Sequence, residues 1–323
     1  MTKKTAYCCP VCKDVVLNKK TDGLYCGKGH FYPFFEGSKV PVFDSDEAGR
    51  NEFNIEKAAE IHDNAMKWLF TTFDIDGAEF RNGMLARLKL EKGHKVLITS
   101  AGAGDDLPYL AKMIGKEGII YAQDYASPML MSAVDRSKDM FDLSDYNIEF
   151  SISDATKLPF PDDYFDAVYH FGGLNLFADI KQGMLEMDRV VKHGGRVVAG
   201  DEGLAPWLIE TEFGKMLANN NPLYLCEVPL QHLPDSARDV NLSWVINNCF
   251  YLIDYTVSKD PLYIDIDVKH VGRRGGSIRS RYFGKLEGIT PELKDRLYAE
   301  AEKKNISRVD LLEQFIKNGL GED

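Results

Sequence analysis

The chain has 323 residues, and 44% of them are hydrophobic, which suits a globular protein of one or two domains with a sizeable core. It carries 39 Lys and Arg against 50 Asp and Glu, so its net charge of −11 as a whole repels nucleic acid and anionic membranes. The sequence has no apolar run near the roughly 18 residues of a membrane-spanning helix and no secretory leader pattern, so we expect a cytoplasmic protein with no membrane partner.

Residues 1–43 form the first predicted unit, because they concentrate the cysteines of the chain. Cys9 and Cys12 flank Pro-Val, and Cys26 and His30 follow after thirteen intervening residues. Thiolates and imidazole in such paired spacing are the ligands that tetrahedral zinc requires. So small a unit also has too little core to fold without a cross-link such as a bound metal. We therefore predict a zinc ribbon with these four ligands. Cys8 is the alternative to Cys9 as first ligand, and free structural cysteines are the alternative to a metal.

Residues 44–95 are predicted to link this unit to the main domain. Residues 44–49 are a polar linker, and residues 54–73 and 80–90 carry apolar side chains at helical spacing. His62 lies beside the apolar face of the first of these helices. It either packs there or contacts a ligand bound by the main domain.

Residues 96–203 carry the motifs of a ligand-binding α/β domain. A strand at 96–99 enters a turn through Gly102 and Gly104, and a helix follows at 105–114. Such glycines let a ligand approach the backbone, and a helix start offers free N–H groups to an anion. The alternative is that the glycines are purely structural, because an ordinary strand-to-helix turn has the same sequence pattern. A second strand ends in Asp124, where a carboxylate suits a ribose diol. Further strands are predicted at 147–155, ending in Asp-Ala, and at 165–170 and 196–201.

In this order the motifs resemble those of the class I S-adenosylmethionine-dependent methyltransferases, in the branch that includes the quinone-biosynthesis enzymes. The resemblance covers residues 96–202 and also rests on the Asp-Ala pair before Leu-Pro-Phe-Pro and on the stretch 190–198. It implies a Rossmann-like α/β fold, with helices on both faces of a seven-stranded sheet, and S-adenosylmethionine as cofactor. The implied cofactor contacts are Ser100, Ala101, Gly102, Gly104 and Asp106 at the methionine part, Asp124 and Tyr125 at the ribose, Asp154 and Ala155 beside adenine, and His170 near the transferred methyl.

Two positions depart from the family pattern. The family usually has an acid where Ile98 stands and a glycine where Ser100 stands. That acid normally helps to hold the amino group of the cofactor, and Asp105 or Asp106 is its nearest substitute. Leu107 replaces the third glycine of Gly-x-Gly-x-x-Gly, which disfavours a hydride-transferring dinucleotide enzyme.

Candidate catalytic residues follow from the rule that ligands bind outside the carboxyl ends of the strands in an open α/β sheet. His170 ends the fourth strand and is the predicted general base, because imidazole titrates near neutrality. The alternative is a strand-end histidine satisfied by the backbone. Asp201 ends the fifth strand and, with Glu202, is predicted to orient an acceptor hydroxyl or amine, or else to cap a helix. In-line methyl transfer otherwise needs mainly proximity and orientation.

The remaining sequence is divided into two parts. Residues 204–289 are predicted to form a substrate lid and the last sheet strands, with helices at 206–218 and 240–248 and strands at 249–257 and 263–271. Residues 269–285 hold six Lys or Arg and no acid, which suits phosphate, carboxylate or an RNA backbone, or a merely solvated face. Within it, Arg279 and Arg281 alternate on a predicted strand.

Residues 290–323 are predicted as two helices that faintly resemble ribbon-helix-helix proteins, which implies a homodimer; packing on the parent domain is the alternative.

Three functions are compatible with these patterns. The first is an S-adenosylmethionine-dependent methyltransferase acting on a small-molecule acceptor, which the acidic charge and the lid favour. The second is an RNA methyltransferase, because residues 1–43 resemble the zinc ribbon of the large-subunit rRNA guanine methyltransferases and residues 269–285 are basic. The third is an inactive, cofactor-binding partner protein, to which Ile98 and Ser100 point.

Overall fold

The computed structural model describes residues 3–13, 15–44, 53–273, 275–282 and 289–321. The chain divides into two units, Met1–Pro261 and Leu262–Asp323. Most of the predicted linker 44–49, together with Arg274 and Lys285 of the basic stretch, lies outside the described residues. Within the described ranges, no helix is both long and apolar enough to cross a membrane.

The described residues form eleven strands and nine α-helices. The strands are β1 (Lys3–Cys8), β2 (Val16–Lys19), β3 (Gly23–Tyr25), β4 (Phe31–Pro33), β5 (Lys95–Thr99), β6 (Ile119–Asp124), β7 (Asn147–Ile152), β8 (Phe165–Phe171), β9 (Val191–Glu202), β10 (Ala237–Val245) and β11 (Phe250–Val257). The helices are α1 (Ala58–Thr72), α2 (Gly77–Ala86), α3 (Leu107–Ile114), α4 (Ser127–Asp139), α5 (Ile180–Arg189), α6 (Glu212–Asn220), α7 (Ile278–Tyr282), α8 (Pro291–Lys304) and α9 (Arg308–Leu320).

Seven strands form the central sheet in the order β10-β11-β9-β8-β5-β6-β7. The five strands from β5 to β9 run parallel to one another, and β11 is antiparallel to both β9 and β10. From β5 the chain moves outward to β6 and β7 and then returns to β8 on the other side of β5, so the strand order reverses between β5 and β8. The predicted Rossmann-like, seven-stranded α/β fold is confirmed.

Alternate residues of the central strands face two different layers. Val96 and Ile98 of β5 pack with apolar side chains of α2, α3 and α4. Leu97 faces the other side, where α5 covers part of the sheet with Met184 and Met187. Both faces of the parallel sheet are therefore buried, as such sheets require.

The amino-terminal sheet, β1-β2-β3-β4, covers the part of that second face that α5 leaves free. Tyr7 of β1 packs on Tyr121 of the central sheet and on Phe160, with ring centroids 6.0 and 5.2 Å apart. The segment after β4 adds to the sheet edge, because the Phe43 N–H donates to the carbonyl of Ile152 over 2.8 Å. This small sheet thus occupies the place of an outer layer of the main fold.

The edge hairpin corrects the prediction that residues 240–248 are helical. They lie in β10 and in the turn after it, where Ile246, Asn247 and Asn248 all have positive φ. Asparagine tolerates this left-handed conformation, so the pair closes the hairpin. In the hairpin Trp244 lies opposite Tyr251. The strand predicted at 249–257 is confirmed as β11.

Three further predictions in this region are wrong. Residues 263–271 form no strand, and Arg279 and Arg281 lie in α7. The helix predicted at 206–218 is instead a short 3-10 turn, Pro206–Leu208, followed by α6. Thr211 causes this later start, because its side chain accepts a hydrogen bond from the Gly214 N–H and caps α6 there.

The unit Leu262–Asp323 ends in the helical hairpin of α8 and α9. Thr290 caps α8 by accepting from the Leu293 N–H, and Ser307 caps α9 by accepting from the Asp310 N–H. The predicted helical carboxyl-terminal region is therefore confirmed.

Candidate active site

The loop that follows β5 bends back over the carboxyl end of the sheet, at the point where the strand order reverses. Its backbone takes positive φ at Ser100 (+54°), Gly102 (+54°) and Gly104 (+87°). The Ala101 N–H donates to the carbonyl of Gln123 at the end of β6 over 2.8 Å. In open α/β sheets this reversal is where ligands bind.

Asp124 holds this loop in place. One carboxylate oxygen accepts from the Gly102 N–H and the other from the Ala126 N–H, both over 2.8 Å. Burial raises the pKa of Asp124, against the opposing effect of the surrounding backbone N–H groups. The structure thus brings two of the predicted cofactor residues, Gly102 and Asp124, into direct contact.

The two glycines of the loop have different surroundings. A Cβ on Gly102 would meet only the Met129 Cε, at 3.5 Å. A Cβ on Gly104 would lie 3.0 Å from the Ala133 Cβ, so Gly104 is needed for the close approach of α4. Gly102 therefore leaves open space at the loop, whereas Gly104 serves packing.

The start of α1 lies over the same loop. Ala58 is buried in a small cluster with Ala103, Ala126 and Met129. His62, one turn further along α1, has a buried Nδ1 without a hydrogen-bond partner in the described part of the chain. Burial lowers its pKa.

Asp105 and Asp106 belong to an ion-pair network. Asp106 accepts from Arg81 of α2 over 2.6 Å, and Asp105 lies 3.2 Å from Arg81 and 3.6 Å from Arg136. Arg136 also binds Asp63 of α1 through two hydrogen bonds. These ion pairs tie α1, α2 and α4 together around the loop, and nothing in the sequence motifs signalled Arg81.

The loop after β7 holds the predicted adenine neighbours. The Ser153 N–H donates to the carbonyl of Asp124 over 3.1 Å, which places this loop beside the end of β6. Asp154 accepts from the backbone N–H and the hydroxyl of Thr156 over 2.8 and 2.7 Å. Ala155 is buried beside it, and Tyr125 is half-buried at the end of β6.

His170 lies beneath the surface of the crevice. Its side chain is 0% exposed, and its Nδ1 is hydrogen bonded to the Thr99 hydroxyl at 2.9 Å. The ring packs edge-on against Phe177, and the buried Nε2 has no partner among the described residues. Burial lowers the pKa of His170 to about 3. In this arrangement the imidazole is neutral at physiological pH and positions the ends of β5 and β8.

The end of β9 carries two acids with different environments. Asp201 is fully buried and accepts from the Asn175 N–H over 2.6 Å and from the Glu202 N–H over 2.9 Å. Burial and the neighbouring Glu202 raise the pKa of Asp201 well above its usual range. Glu202 is only half-buried, and its carbonyl accepts from the Asn175 side-chain amide over 2.8 Å. Asn175, in the stretch that follows β8, therefore connects the ends of β8 and β9.

The four predicted metal ligands lie together in the amino-terminal sheet. His30 Nδ1 is 3.5 Å from the Cys9 Sγ and 3.4 Å from the Cys12 Sγ, and the sulfurs of Cys12 and Cys26 are 3.9 Å apart. All four ligand atoms lie within 4.8 Å of one another. Cys8 is not part of this cluster, and its N–H donates to the carbonyl of Pro159 over 2.8 Å.

Comparisons with known proteins agree with this geometry over the central part of the chain. Residues 73–202 match the model of the ubiE/COQ5 methyltransferase family. The chain is 34% identical over 157 residues to the ubiquinone/menaquinone biosynthesis C-methyltransferase of Chromobacterium violaceum, covering 45% of this chain and 60% of that protein. It is 29% identical over 204 residues to the demethylmenaquinone methyltransferase of a Geobacillus species, covering 59% and 80%.

A solved structure shares the fold. The Haemonchus contortus phosphoethanolamine N-methyltransferase 2, in complex with S-adenosyl-L-methionine, aligns with a TM-score of 0.50 at 14% identity, over 70% of this chain and 62% of that one. The family match includes the loop after β5, Asp124 and Glu202, and it leaves out the Cys and His cluster and the unit Leu262–Asp323. Residues 73–202 are therefore similar to the class I S-adenosylmethionine-dependent methyltransferases of the ubiE/COQ5 family, and the match spans 60% of the length of the Chromobacterium relative.

Proposed function

We propose that this protein transfers a methyl group from S-adenosylmethionine to a small-molecule acceptor with a quinone-type ring. The observation that carries the proposal is the contact of Asp124 with the Gly102 N–H at the strand-order reversal, inside the segment that matches the family. The two relatives named above support an acceptor of the quinone class. An RNA acceptor is the weaker alternative, because the ribbon that suggested it packs against the sheet as part of the core.

The proposed cofactor residues are those predicted from the sequence. Ser100, Ala101, Gly102, Gly104 and Asp106 would hold the methionine part, Asp124 and Tyr125 the ribose, and Asp154 and Ala155 the adenine. The fit rests on the open space at Gly102 and on the fixed Asp124 carboxylate, whose remaining lone pairs can accept from ribose hydroxyls. When bound, S-adenosylmethionine supplies an electrophilic methyl group on a sulfonium.

The acceptor residues are proposed from the end of β9. Glu202 is half-buried at the crevice, so it is better placed than buried Asp201 to take a proton from an acceptor hydroxyl. Asp201 then acts by fixing the Asn175 N–H. For His170 the geometry favours a positioning role over that of general base, because a fully buried imidazole does not reach an acceptor and, with its lowered pKa, is a weak base.

We also propose that Cys9, Cys12, Cys26 and His30 hold a structural zinc ion. Tetrahedral zinc bonds of roughly 2.3 Å to sulfur and 2.0 Å to nitrogen imply sulfur–sulfur edges of about 3.8 Å and sulfur–nitrogen edges of about 3.5 Å. The measured 3.9, 3.5 and 3.4 Å fit these edges. Backbone N–H groups of Cys12 and Lys28 point at the sulfurs of Cys9 and Cys26, which suits thiolate charge.

The test is calorimetric titration of the zinc-loaded chain with S-adenosylmethionine and S-adenosylhomocysteine. We expect micromolar binding that is lost in Asp124→Ala and in Gly102→Val, whose branched side chain is strained at positive φ and fills the open space. Asp145→Ala is the control, because Asp145 is exposed and lies before β7, at the opposite end of the sheet.

The outcomes separate the three functions. Binding followed by turnover of a quinol establishes the proposed function. Tight binding without turnover of quinols, phenols or rRNA fragments supports the inactive partner protein instead. No binding by a folded, zinc-loaded sample would overturn the proposal, because Ile98 and Ser100 would then mark a site that no longer holds the cofactor.

A further inference from the structure

Residues 262–273 and 275–282 expose an unusual share of large apolar side chains, and we call these described residues the 262–282 surface. The following side chains are each at least 48% exposed: Leu262, Tyr263, Ile264, Val268, Val271, Ile278 and Tyr282. Exposed apolar side chains at such density usually mark an interaction surface, since isolated ones are normal but contiguous ones are rare.

The backbone of this surface is fixed by its own hydrogen bonds. Arg279 donates through Nε and Nη2 to the two carboxylate oxygens of Asp267 over 2.7 and 3.0 Å. The Arg279 N–H donates to the carbonyl of Ile266 over 2.9 Å, and the His270 N–H donates to the carbonyl of Gly276 over 2.7 Å. The apolar side chains are therefore presented by a closed loop.

The charge of the surface is opposite to that of the chain. Residues 262–282 contain five Lys or Arg and two Asp, a net charge of +3 in a chain of −11. One of the acids, Asp267, is already paired with Arg279. Lys269 and Arg273 are exposed, and within the described residues no ion pair engages them. The partner that this surface fits is therefore anionic.

We propose that the 262–282 surface binds the face of an anionic lipid bilayer, with its apolar side chains at the headgroup–acyl boundary and Lys269 and Arg273 at the lipid phosphates. Apolar burial and attraction of cations to anionic lipid act together in such binding. A basic loop also suits an RNA backbone. However, contacts with RNA phosphates would bury none of the seven apolar side chains, so the exposed apolar side chains favour a lipid bilayer as the partner. This lipid binding goes beyond the proposed function. Under that function it would bring the protein to the bilayer, which is where an apolar acceptor dissolves.

The experiment is co-sedimentation of the full chain with phosphatidylcholine vesicles, with and without phosphatidylglycerol. We expect binding only to the anionic vesicles. Lys269→Gln with Arg273→Gln should weaken it by roughly 25-fold, since each cation near the surface contributes about fivefold. Tyr263→Ser with Val271→Ser should weaken it at least tenfold by removing apolar area.

Matched controls lie in the other unit. Lys138→Gln with Lys181→Gln changes the net charge equally at exposed positions, and Met216→Ser removes an exposed apolar side chain from α6. Both controls should bind vesicles like the unchanged protein. All variants should bind S-adenosylhomocysteine with the affinity of the unchanged protein. A failure of the lipid-binding proposal is therefore distinguishable from a failure of the proposed function.

Three results would overturn the proposal. One is equal recovery with neutral and anionic vesicles, or none with either. Another is a protein that does not bind vesicles but binds an rRNA fragment in a salt-sensitive way, where the double variant Lys269→Gln with Arg273→Gln abolishes the RNA binding. The third is self-association that Tyr263→Ser with Val271→Ser abolishes, because a second copy of the chain would then cover this surface.

Discussion

The buried His170 makes the stability of this protein depend on pH in a measurable way. Burial lowers its pKa to about 3 in the folded protein, whereas a solvated histidine in the unfolded chain titrates near pH 6.5. The folded-state pKa is the depressed one, so the unfolded chain takes up a proton that the folded protein does not. The stability that this group contributes is therefore complete above about pH 6.5 and is lost as the pH falls toward about 3.

The size of the effect follows from linkage. Between these two pKa values the free energy of unfolding changes by about 1.4 kcal/mol per pH unit for one proton. Integrated from near pH 8 to near pH 5, His170 alone removes about 2 kcal/mol of stability. Its side chain is 0% exposed, so solvent screening reduces this amount little.

The assay is urea denaturation of the unchanged protein and of His170→Gln near pH 8 and near pH 5. Glutamine keeps a polar partner for the Thr99 hydroxyl but does not titrate. We expect the stability advantage of the unchanged protein over the variant to shrink by about 2 kcal/mol on acidification. Phe177→Leu, which perturbs the ring packed on His170, is the control and should lower stability equally at both pH values.

Equal loss of stability in His170→Gln and in the unchanged protein would refute this reasoning. It would mean that the folded protein protonates His170 as readily as the unfolded chain does. The imidazole would then be open to solvent and available as the general base that the sequence suggested.

The remaining predictions concern the metal, the glycine loop and the acceptor site. Cys26→Ser should abolish zinc content by metal analysis and weaken S-adenosylhomocysteine binding about tenfold, because ribbon residues hold the loop after β7. Gly104→Ala should lower the free energy of unfolding by about 2 kcal/mol, since its Cβ would lie 3.0 Å from that of Ala133 at positive φ. Glu202→Gln should lower kcat by about a hundredfold without changing cofactor affinity, if it accepts the acceptor proton.

Each of these has a control and a contradicting result. Cys226→Ser should keep its zinc, and zinc retained by Cys26→Ser would contradict the ligand set. Gly319→Ala, where a Cβ meets nothing within 4 Å, should not destabilise, and a Gly104→Ala variant of unchanged stability would contradict the packing argument. Glu210→Gln, at an exposed acid, should keep full activity; equal kcat in Glu202→Gln would remove that residue from the mechanism.

Local patterns in the sequence were enough to predict features that depend on neighbouring residues. Paired cysteines predicted the cluster of Cys9, Cys12, Cys26 and His30, and the strand-end acid predicted the position of Asp124. The caps at Thr290 and Ser307 likewise follow from residues within one helical turn. In each case the interacting atoms belong to one turn, one hairpin or the ends of adjacent strands.

Features that depend on distant contacts were not predictable in the same way. The helical spacing of residues 240–248 was a weaker constraint than pairing with β11, so the segment is a strand. His170 has the sequence position of a surface base, but the layer that buries its side chain comes from α5 and Phe177. Arg81 meets Asp106 from a helix 25 residues earlier, and no local motif encodes that pairing.

The position of the amino-terminal sheet connects the proposed metal site to the proposed cofactor site. The loop after β7 begins at Ser153 and carries the proposed adenine neighbours. Residues of the amino-terminal unit contact this segment at two points, since the Phe43 N–H donates to the carbonyl of Ile152 just before the loop and the Cys8 N–H donates to that of Pro159 in its middle. Cys8 and Cys9 are adjacent, so a metal bound at Cys9 would also fix this hydrogen bond. Under the proposed cofactor arrangement, this packing would stabilise the adenine side of the crevice, which is why a change at Cys26 is expected to weaken cofactor binding without a direct contact.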